Sequence, residues 1–381
     1  MAKHNRTGVG LDVGNRSVQL AVLRPKKGGV AVERLASKEL PHDAIVDGAV
    51  MDAQVVTEKI SELLRENHLK NRDVAISIGG RRLMIKKIAT DEMSDDELKA
   101  TISYEAKSNL PFDVSEVSLD YARLDQNAEA GHMEVLLVAA KNEVVFDAVE
   151  TLRGSGGKPA LLEGGPFALQ AALGAAGYFE DQAAVATLDI GFQAVDVTLC
   201  TGGQYAGNRG LSVGGKSYVE GLIRELGIPF ERAAQLLANA QRSPEEEEAL
   251  NRVATLVSEK IAEQVERSFP EYFAATSESP VTRLVLCGGG AHLPMLEAAL
   301  RERFGREVVI ADPFRRFEVR DKNIAAMASE SAPDYASAVG LALRAMGDEY
   351  PGFNLLLPSD RPEFKKTAYA GLGTVLPVVA I

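Results

Sequence analysis

A thirteen-residue pattern occurs twice in this 381-residue chain, as LDVGNRSVQLAVL at residues 11–23 and as LDIGFQAVDVTLC at residues 188–200. Asp12 therefore matches Asp189, and Gly14 matches Gly191. Each copy reads as an apolar strand ending in a carboxylate, a glycine turn able to adopt φ > 0, and a second alternating strand, which is the pattern of a β-hairpin. Two such hairpins facing each other would place two carboxylates and two glycine turns around one ligand. A third glycine cluster, Gly288, Gly289, Gly290 and Ala291, follows the apolar run at 283–286 and precedes a helical pattern. Glycine turns let backbone N–H groups donate to phosphate without Cβ clashes, and a nearby Asp can hold hydrated Mg²⁺. One Asp-Gly pair alone would read more simply as a local turn bond. Two matched copies plus the third loop predict a two-lobed nucleotide site, and Asp12 and Asp189 have the right chemistry to hold hydrated Mg²⁺.

The length predicts two to three domains, which fits internal duplication. With 46% hydrophobic and 25% charged residues, few aromatics and no Trp, the composition is that of a soluble α/β protein. A formal charge of −12 and the lack of a basic stripe argue against nucleic acid as a partner. Cys200 and Cys287 lie in apolar strand-like runs and read as buried, reduced thiols. No apolar stretch precedes the first strand, so no secretory signal is expected there and the expected compartment is the cytoplasm. Residues 367–381 are almost wholly apolar and follow Lys365 and Lys366, yet they are shorter than the ~20 residues of a spanning helix. They could touch a membrane.

Along the chain, Asp52 reads as the cap of an amphipathic helix carrying Val55, Val56, Ile60, Leu63 and Leu64. Strands are expected at 74–78 and 83–89, with Gly79 and Gly80 turning between them. Ser94 and Glu97 have capping-box spacing for a helix that Pro111 stops. Strands at 117–124 and 133–140 and a helix at 142–153 complete what looks like an inserted subdomain over residues 90–157. The first lobe then covers 1–89 and 158–187, and the second covers 188–332 with a helical insertion at about 211–280. Within that insertion, Ser243, Pro244 and the four glutamates after them mark a helix start. Helices are expected at 166–176, 216–226, 230–240 and 294–303, a strand at 307–311, then a long polar segment and a closing helix at 335–346. A tail occupies 351–381.

At this point the residues carry a family resemblance. The phosphate-type loops at 12–17 and 189–195, the loop at 288–291 and the closing helix resemble the actin, Hsp70 and hexokinase superfamily. Within it, YEAKSNLPFDVSEVSLDYARL at 104–124, the pair Gly214-Gly215 and EQVERSFPEYF at 263–273 are similar to the PilM family of type IV pilus assembly proteins. The resemblance implies a two-lobed actin-like ATPase (ribonuclease H-like) α/β fold with a PilM/FtsA-type inserted subdomain. It also implies ATP or ADP with Mg²⁺, held by phosphate contacts from Gly14, Asn15, Arg16, Ser17 and Gly191. Nucleoside contacts would come from Gly214, Gly215, Lys216 and 288–291, with Asp12 and Asp189 facing the metal. Family members usually keep hydroxyl residues late in the second phosphate loop, where this chain has Ala194 and Val195. They also tend to carry Glu-Pro before the helix entering the second lobe; here the pair is Gly165-Pro166, with Glu163 two residues upstream as a substitute for positioning water. Weak or absent hydrolysis is the expectation. The alternatives are an active ATPase of the same fold and a filament-forming, FtsA-like cell-division protein.

Two further motifs bear on function. Residues 210–217, GLSVGGKS, match the P-loop pattern G-x-x-x-x-G-K-S, but a P-loop hangs from a buried central strand and residues 204–209 are polar. The match reads as coincidence over the Gly214-Gly215 loop. In the tail, Phe353, Asn354, Leu355, Leu356, Leu357 and Pro358 are similar to the N-terminal Ile-Asn-Leu-Leu-Pro motif of PilN, the membrane partner of PilM proteins. The resemblance implies a PilN-like peptide as partner, pilus machinery at the periphery of the inner membrane, and a tail that docks on its own molecule or on a neighbouring copy. A plain extended tail packing its leucines is the simpler alternative.

Overall fold

The computed structural model describes residues 6–124, 131–180, 183–238, 241–273, 280–347 and 352–361. The apolar end at 367–381, Lys365 and Lys366 lie outside the described residues.

The chain opens with three antiparallel strands, β1 (Gly8–Val13), β2 (Ser17–Lys26) and β3 (Gly29–Glu39). A two-residue pairing of β4 (Ile45–Val46) with β5 (Ala49–Val50) leads to α1 (Ala53–Glu66), where the Asp52 carboxylate accepts the Val55 N–H at 3.0 Å. Helix α1 buries Val56, Ile60, Leu63 and Leu64, the apolar stripe that helical spacing predicts. Strand β6 (Asp73–Ile78) follows, then β7 (Leu83–Asp91), α2 (Asp95–Asn109), β8 (Val117–Leu124), β9 (His132–Lys141), α3 (Asn142–Gly154), β10 (Lys158–Gly164) and α4 (Gly165–Ala175). The second half repeats the opening with β11 (Ala184–Ile190), β12 (Val195–Thr201) and β13 (Gln204–Leu211). Helices α5 (Gly215–Leu226), α6 (Phe230–Leu237), α7 (Pro244–Ser268) and α8 (Pro270–Phe273) come next, then β14 (Val281–Cys287), α9 (Leu296–Phe304), β15 (Glu307–Ile310), β16 (Glu318–Val319), α10 (Lys322–Ser331) and α11 (Ala336–Met346).

Two compact units result, one holding the described residues of 1–172, 316–326 and 337–381, the other those of 173–315 and 327–336. The first contains a six-stranded sheet in the order β10-β6-β1-β2-β3-β16, the second a five-stranded sheet in the order β13-β12-β11-β14-β15. Strands β3-β2-β1-β6-β10 therefore have the same connectivity and pairing sense as β13-β12-β11-β14-β15: three antiparallel strands, then two added in parallel. The thirteen-residue repeat is the sequence trace of this duplication. A separate three-stranded sheet, β7-β9-β8, carries α2 on one face over a core of Leu98, Ile102, Met133, Val135 and Leu137. Ser94 caps α2 in the predicted capping box, and Ser243 caps α7 in another.

In the first unit α11 lies directly on β1 and on α4, and small residues make that approach possible. A Cβ on Gly10 would overlap the Ala338 carbonyl oxygen, and one on Gly340 would overlap that of Ala168. The polar stretch after Ala311 contains β16 and α10, and α10 buries no residue, so it has no apolar stripe to betray it. Both cysteines are buried free thiols; burial pushes Cys200 up to about 12, and burial, with the nearby Asp189 charge adding to it, raises Cys287 well above its ordinary value.

Candidate functional site

In the first unit, β1 ends at a half-buried Asp12 whose Oδ1 accepts the Ser77 hydroxyl at 3.0 Å from the end of β6. Burial pushes this carboxyl above its ordinary pKa, and the Ser77 hydrogen bond works the other way. The turn closes when the Gly14 N–H donates to the Ser17 carbonyl at 3.0 Å. The Asn15 amide donates to the Ile45 carbonyl at 3.2 Å, the Leu40 N–H to the Arg16 carbonyl at 2.7 Å, and Gln19 Nε2 to the Ser17 hydroxyl at 2.7 Å.

The second unit repeats the turn, with the Gly191 N–H donating to the Ala194 carbonyl at 2.8 Å. Neither Gly14 nor Gly191 has positive φ, contrary to the expectation. What glycine supplies there is room: an added Cβ would stand 3.2 Å from the Ser17 oxygen or 3.1 Å from the Ala194 oxygen. Positive φ belongs instead to Gly288, at 78°. A Cβ on Gly288 would overlap Asp189 Oδ1, so this loop rests on the end of β11. The Gly290 N–H fastens it by donating to the Ile190 carbonyl at 2.8 Å, and the Gly288 N–H donates to the Pro333 carbonyl at 2.9 Å. Asp189 is paired across the sheet with Asp196 on β12 and, on its other side, with Cys287 of β14.

Gly214 and Gly215 pack on the same turn, where a Cβ on Gly214 would lie 2.6 Å from the Gly191 oxygen. The structure thus gathers Asp189, Gly191, Gly214, Gly215, Gly288 and Gly290 around one end of β11. The P-loop coincidence is resolved here. Strand β13 is a sheet edge, and the N–H groups of Gly215 and Lys216 donate to the carbonyls of Gly191 and Phe192 at 3.2 and 2.7 Å. A phosphate-cradling loop needs those donors free. Lys216 Nζ lies 3.6 Å from Glu220, one helical turn along.

The tail forms the most elaborate contact set. Residues 353–356 run between two strands that are each the edge of a sheet, β10 on one side and β8 on the other. The Leu355 N–H donates to the Leu162 carbonyl at 2.8 Å, and the Ser118 hydroxyl donates to the Leu355 carbonyl at 2.6 Å. Asn354 Oδ1 accepts from the N–H of Leu162 at 3.3 Å and of Leu356 at 3.1 Å, so its amide fixes the register. Two successive backbone N–H groups meet carboxylates, Phe353 on Glu163 at 3.0 Å and Asn354 on Asp120 at 2.7 Å. Phe353, Leu355 and Leu356 are buried, and the Phe353 ring packs on Phe167 of α4 with centroids 4.4 Å apart. Leu357 is half-buried and Pro358 exposed.

Glu163 has no exposed side-chain surface and pairs with Arg344 of α11 at 2.5 Å. Burial pushes its carboxyl up, while Arg344 and the N–H groups of Phe353 and Gly164 oppose that shift. Its predicted substitute role in positioning water is therefore not what the geometry serves, since both oxygens are occupied by donors of its own unit. Sequence reading missed Ser118, Asp120 and Arg344 as peptide-contacting or supporting residues. The signal available was the period-two placement of Ser118 and Asp120 on one face of β8.

A family model described as type IV pilus assembly protein PilM matches residues 10–346. The chain belongs to the PilM family. A solved structure described as a PilM-PilN type IV pilus biogenesis complex contains a chain 25% identical to this one, matching over 90% of this chain and 100% of that one with a TM-score of 0.77. The ethanolamine utilization protein EutJ from Carboxydothermus hydrogenoformans is 18% identical, over 89% of each chain, with a TM-score of 0.54. An archaeal actin homologue, Ta0583, aligns over 89% of this chain and 99% of its own at 15% identity and a TM-score of 0.48. The fold is the actin-like ATPase fold with two duplicated sheets, and the three-stranded sheet β7-β9-β8 falls between β6 and β10 in the chain. Among the described residues, no helix is long and apolar enough to cross a membrane.

Proposed function

We propose that this PilM-family chain is an adaptor of type IV pilus assembly whose working surface is the channel between β8 and β10. Its partner is an extended peptide from a membrane protein of PilN type, which holds the adaptor at the membrane periphery. The observation that carries this reading is the seat of residues 353–356, where a PilN-like sequence already fills the channel. The edge of β10 offers backbone partners to an extended segment, β8 offers the Ser118 and Asp120 side chains, and Phe353, Leu355 and Leu356 are buried. The test is titration of a labelled PilN-type N-terminal peptide into the full chain and into a Leu355→Asp variant, whose tail cannot seat an ionised side chain in a dry pocket. Tighter binding to the variant is the expected result. Peptide that binds neither protein would overturn the adaptor reading, and equal affinity for both would leave the tail as a plain linker.

A second element of the proposal is adenine nucleotide with Mg²⁺. Gly14 and Gly191 close matching turns, Gly288 and Gly290 pack a tight loop on the end of β11, and Asp12 and Asp189 stand at the two equivalent strand ends. Asp12 in the first unit and Asp189 in the second each present a carboxylate of the kind that holds hydrated Mg²⁺, which would supply charge neutralisation to phosphate. The turns from Gly14 to Ser17 and at Gly191 would take phosphate, and 288–291 with Gly214 and Gly215 the nucleoside. With Ala194, Val195 and Gly165 in place of hydroxyl and carboxylate groups, turnover stays below ordinary ATPase rates of ~1 per second. Release and identification of the ligand that purifies with the protein checks this part.

A further inference from the structure

The segment held by the first unit is longer than the six-residue motif. After Leu356 the chain turns, with the N–H groups of Asp360 and Arg361 both donating to the Leu357 carbonyl at 2.8 and 3.2 Å and Pro358 at the position where a turn favours proline. The turn carries two charged side chains in opposite directions. Asp360 reaches the end of α3 and pairs with Arg153 at 2.6 Å, with only 16% of its side chain exposed. Arg361 folds back along the seated segment, where its Nε donates to the Leu356 carbonyl at 3.0 Å and its Nη2 to the Asn354 carbonyl at 3.1 Å.

These contacts account for all four N–H groups of residues 353–356 and for the carbonyls of 354, 355 and 356. The N–H groups of residues 353–356 are taken by Glu163, Asp120, Leu162 and the Asn354 side chain, and the Leu355 carbonyl by Ser118. The carbonyls of Asn354 and Leu356 are both taken by the segment's own arginine. An extended peptide in an apolar channel must satisfy its carbonyls as well as its N–H groups. A guanidinium does this for two carbonyls at once because its donors lie in a fixed fork. Its charge also bears on Asp120, which burial pushes up and the Arg361 charge draws back.

We propose that the recognition element of this channel is the nine-residue unit 353–361, in which Asp360 anchors on Arg153 and Arg361 staples the peptide's carbonyls. This rests on the channel being the peptide site. The partner class is thereby narrowed: an Asn-Leu-Leu segment followed, after a proline turn, by an acidic and then a basic residue.

The experiment is amide hydrogen exchange of residues 353–356 in the full chain and in the variants Arg361→Ala, Arg361→Lys, Asp360→Lys, Arg153→Glu and the Arg153→Glu/Asp360→Lys double. Loss of two charge-assisted hydrogen bonds in Arg361→Ala should lower protection about tenfold or more. Arg361→Lys, a charge without the fork, should fall between. Each single reversal of the Asp360–Arg153 pair should cost a few-fold, and the double variant should regain most of it. A labelled 353–361 peptide should also bind the Leu355→Asp chain more tightly than the same peptide with Arg361→Ala. Protection and peptide affinity unchanged in Arg361→Ala would overturn the nine-residue unit while leaving the channel reading intact. Free exchange of residues 353–356 in the unaltered chain would overturn the channel reading itself.

Discussion

At the residue scale, Glu163 shows how one carboxylate serves two elements. It accepts from Arg344 of α11 and from the Phe353 N–H of the tail, in a place without water. Removing one partner of a buried ion pair leaves an uncompensated charge, so Arg344→Ala is expected to cost about 3–5 kcal/mol at pH 7. The deficit has a definite pH sign. Glu163 is already raised above its ordinary value, and loss of the guanidinium raises it further, so the variant's penalty is full above that pKa and shrinks as falling pH protonates the group. Urea unfolding of both proteins at pH 7 and at about pH 5 checks this, and a deficit that grows on acidification refutes it. Asp12→Ala in the first unit should weaken Mg-nucleotide binding in calorimetry far more than Lys216→Ala in the second, because Lys216 is turned to Glu220 and its N–H is engaged. The reverse order would restore the P-loop reading. The acidic residues and glycines of the turns were legible in the sequence because they recur. Glu163, Asp120 and Arg344 were not, since nothing local marks a carboxylate whose partners lie 181 to 234 positions away.

At the element scale, the close approach of α11 to β1 and α4 depends on having no side chain at the crossing. Gly340→Ala would drive a methyl group into the Ala168 carbonyl, and overpacking of a rigid crossing costs about 1–3 kcal/mol or more. Gly79→Ala is the control, because nothing lies within 4 Å of its added Cβ and its φ of −128° suits any residue. It should stay within about 0.5 kcal/mol of the parent in denaturant midpoints, as surface changes do. A neutral Gly340→Ala would mean that α11 can shift on its neighbours. Helices with caps and apolar stripes, such as α1, α2 and α7, were legible because both signals are local. Helix α10 has a cap, since the Asp321 carboxylate accepts the N–H groups of Asn323 and Ile324 at 2.8 and 3.1 Å, but it buries no residue and so lacks the second signal.

At the scale of the whole molecule, duplication was the most legible property and the alternation of the chain between two units the least. Strand pattern declares a hairpin, whereas the return of residues 316–326 and 337–361 to the first unit depends on contacts distant in sequence. Electrostatics supplies a prediction for the entire chain. Asp12, Asp120, Glu163, Asp196 and Asp334 are all raised, with burial the largest cause in each. A raised carboxyl binds its proton more tightly folded than unfolded, so each one detracts from stability above its folded pKa and stops doing so as pH falls through it. The lowered groups, exposed Glu66, Glu97 and Asp113 and half-buried Glu246 and Glu318, contribute stability that is lost only at and below the ordinary carboxylate range. Between the two ranges the chain should become more stable on mild acidification, which also reduces the repulsion implied by a charge of −12. A thermal midpoint a few degrees higher at about pH 6 than at about pH 8 is expected; an equal or lower midpoint would refute it.

The end of α11 and the first seated residue of the tail, Met346 and Phe353, are seven positions apart in the chain. A ligand on so short a leash meets its own channel at an effective concentration on the order of millimolar, whatever the amount of protein in solution. A free competitor present at about a micromolar must then bind roughly a thousandfold more tightly than the tail to hold half of the channels. Modest contacts thus become an exclusive lock, and the strength of the lock is set by chain length as much as by chemistry. A competitor tethered beside the channel escapes that penalty by the same arithmetic, so the leash makes the channel discriminate between a partner that is anchored in place and the same sequence drifting free.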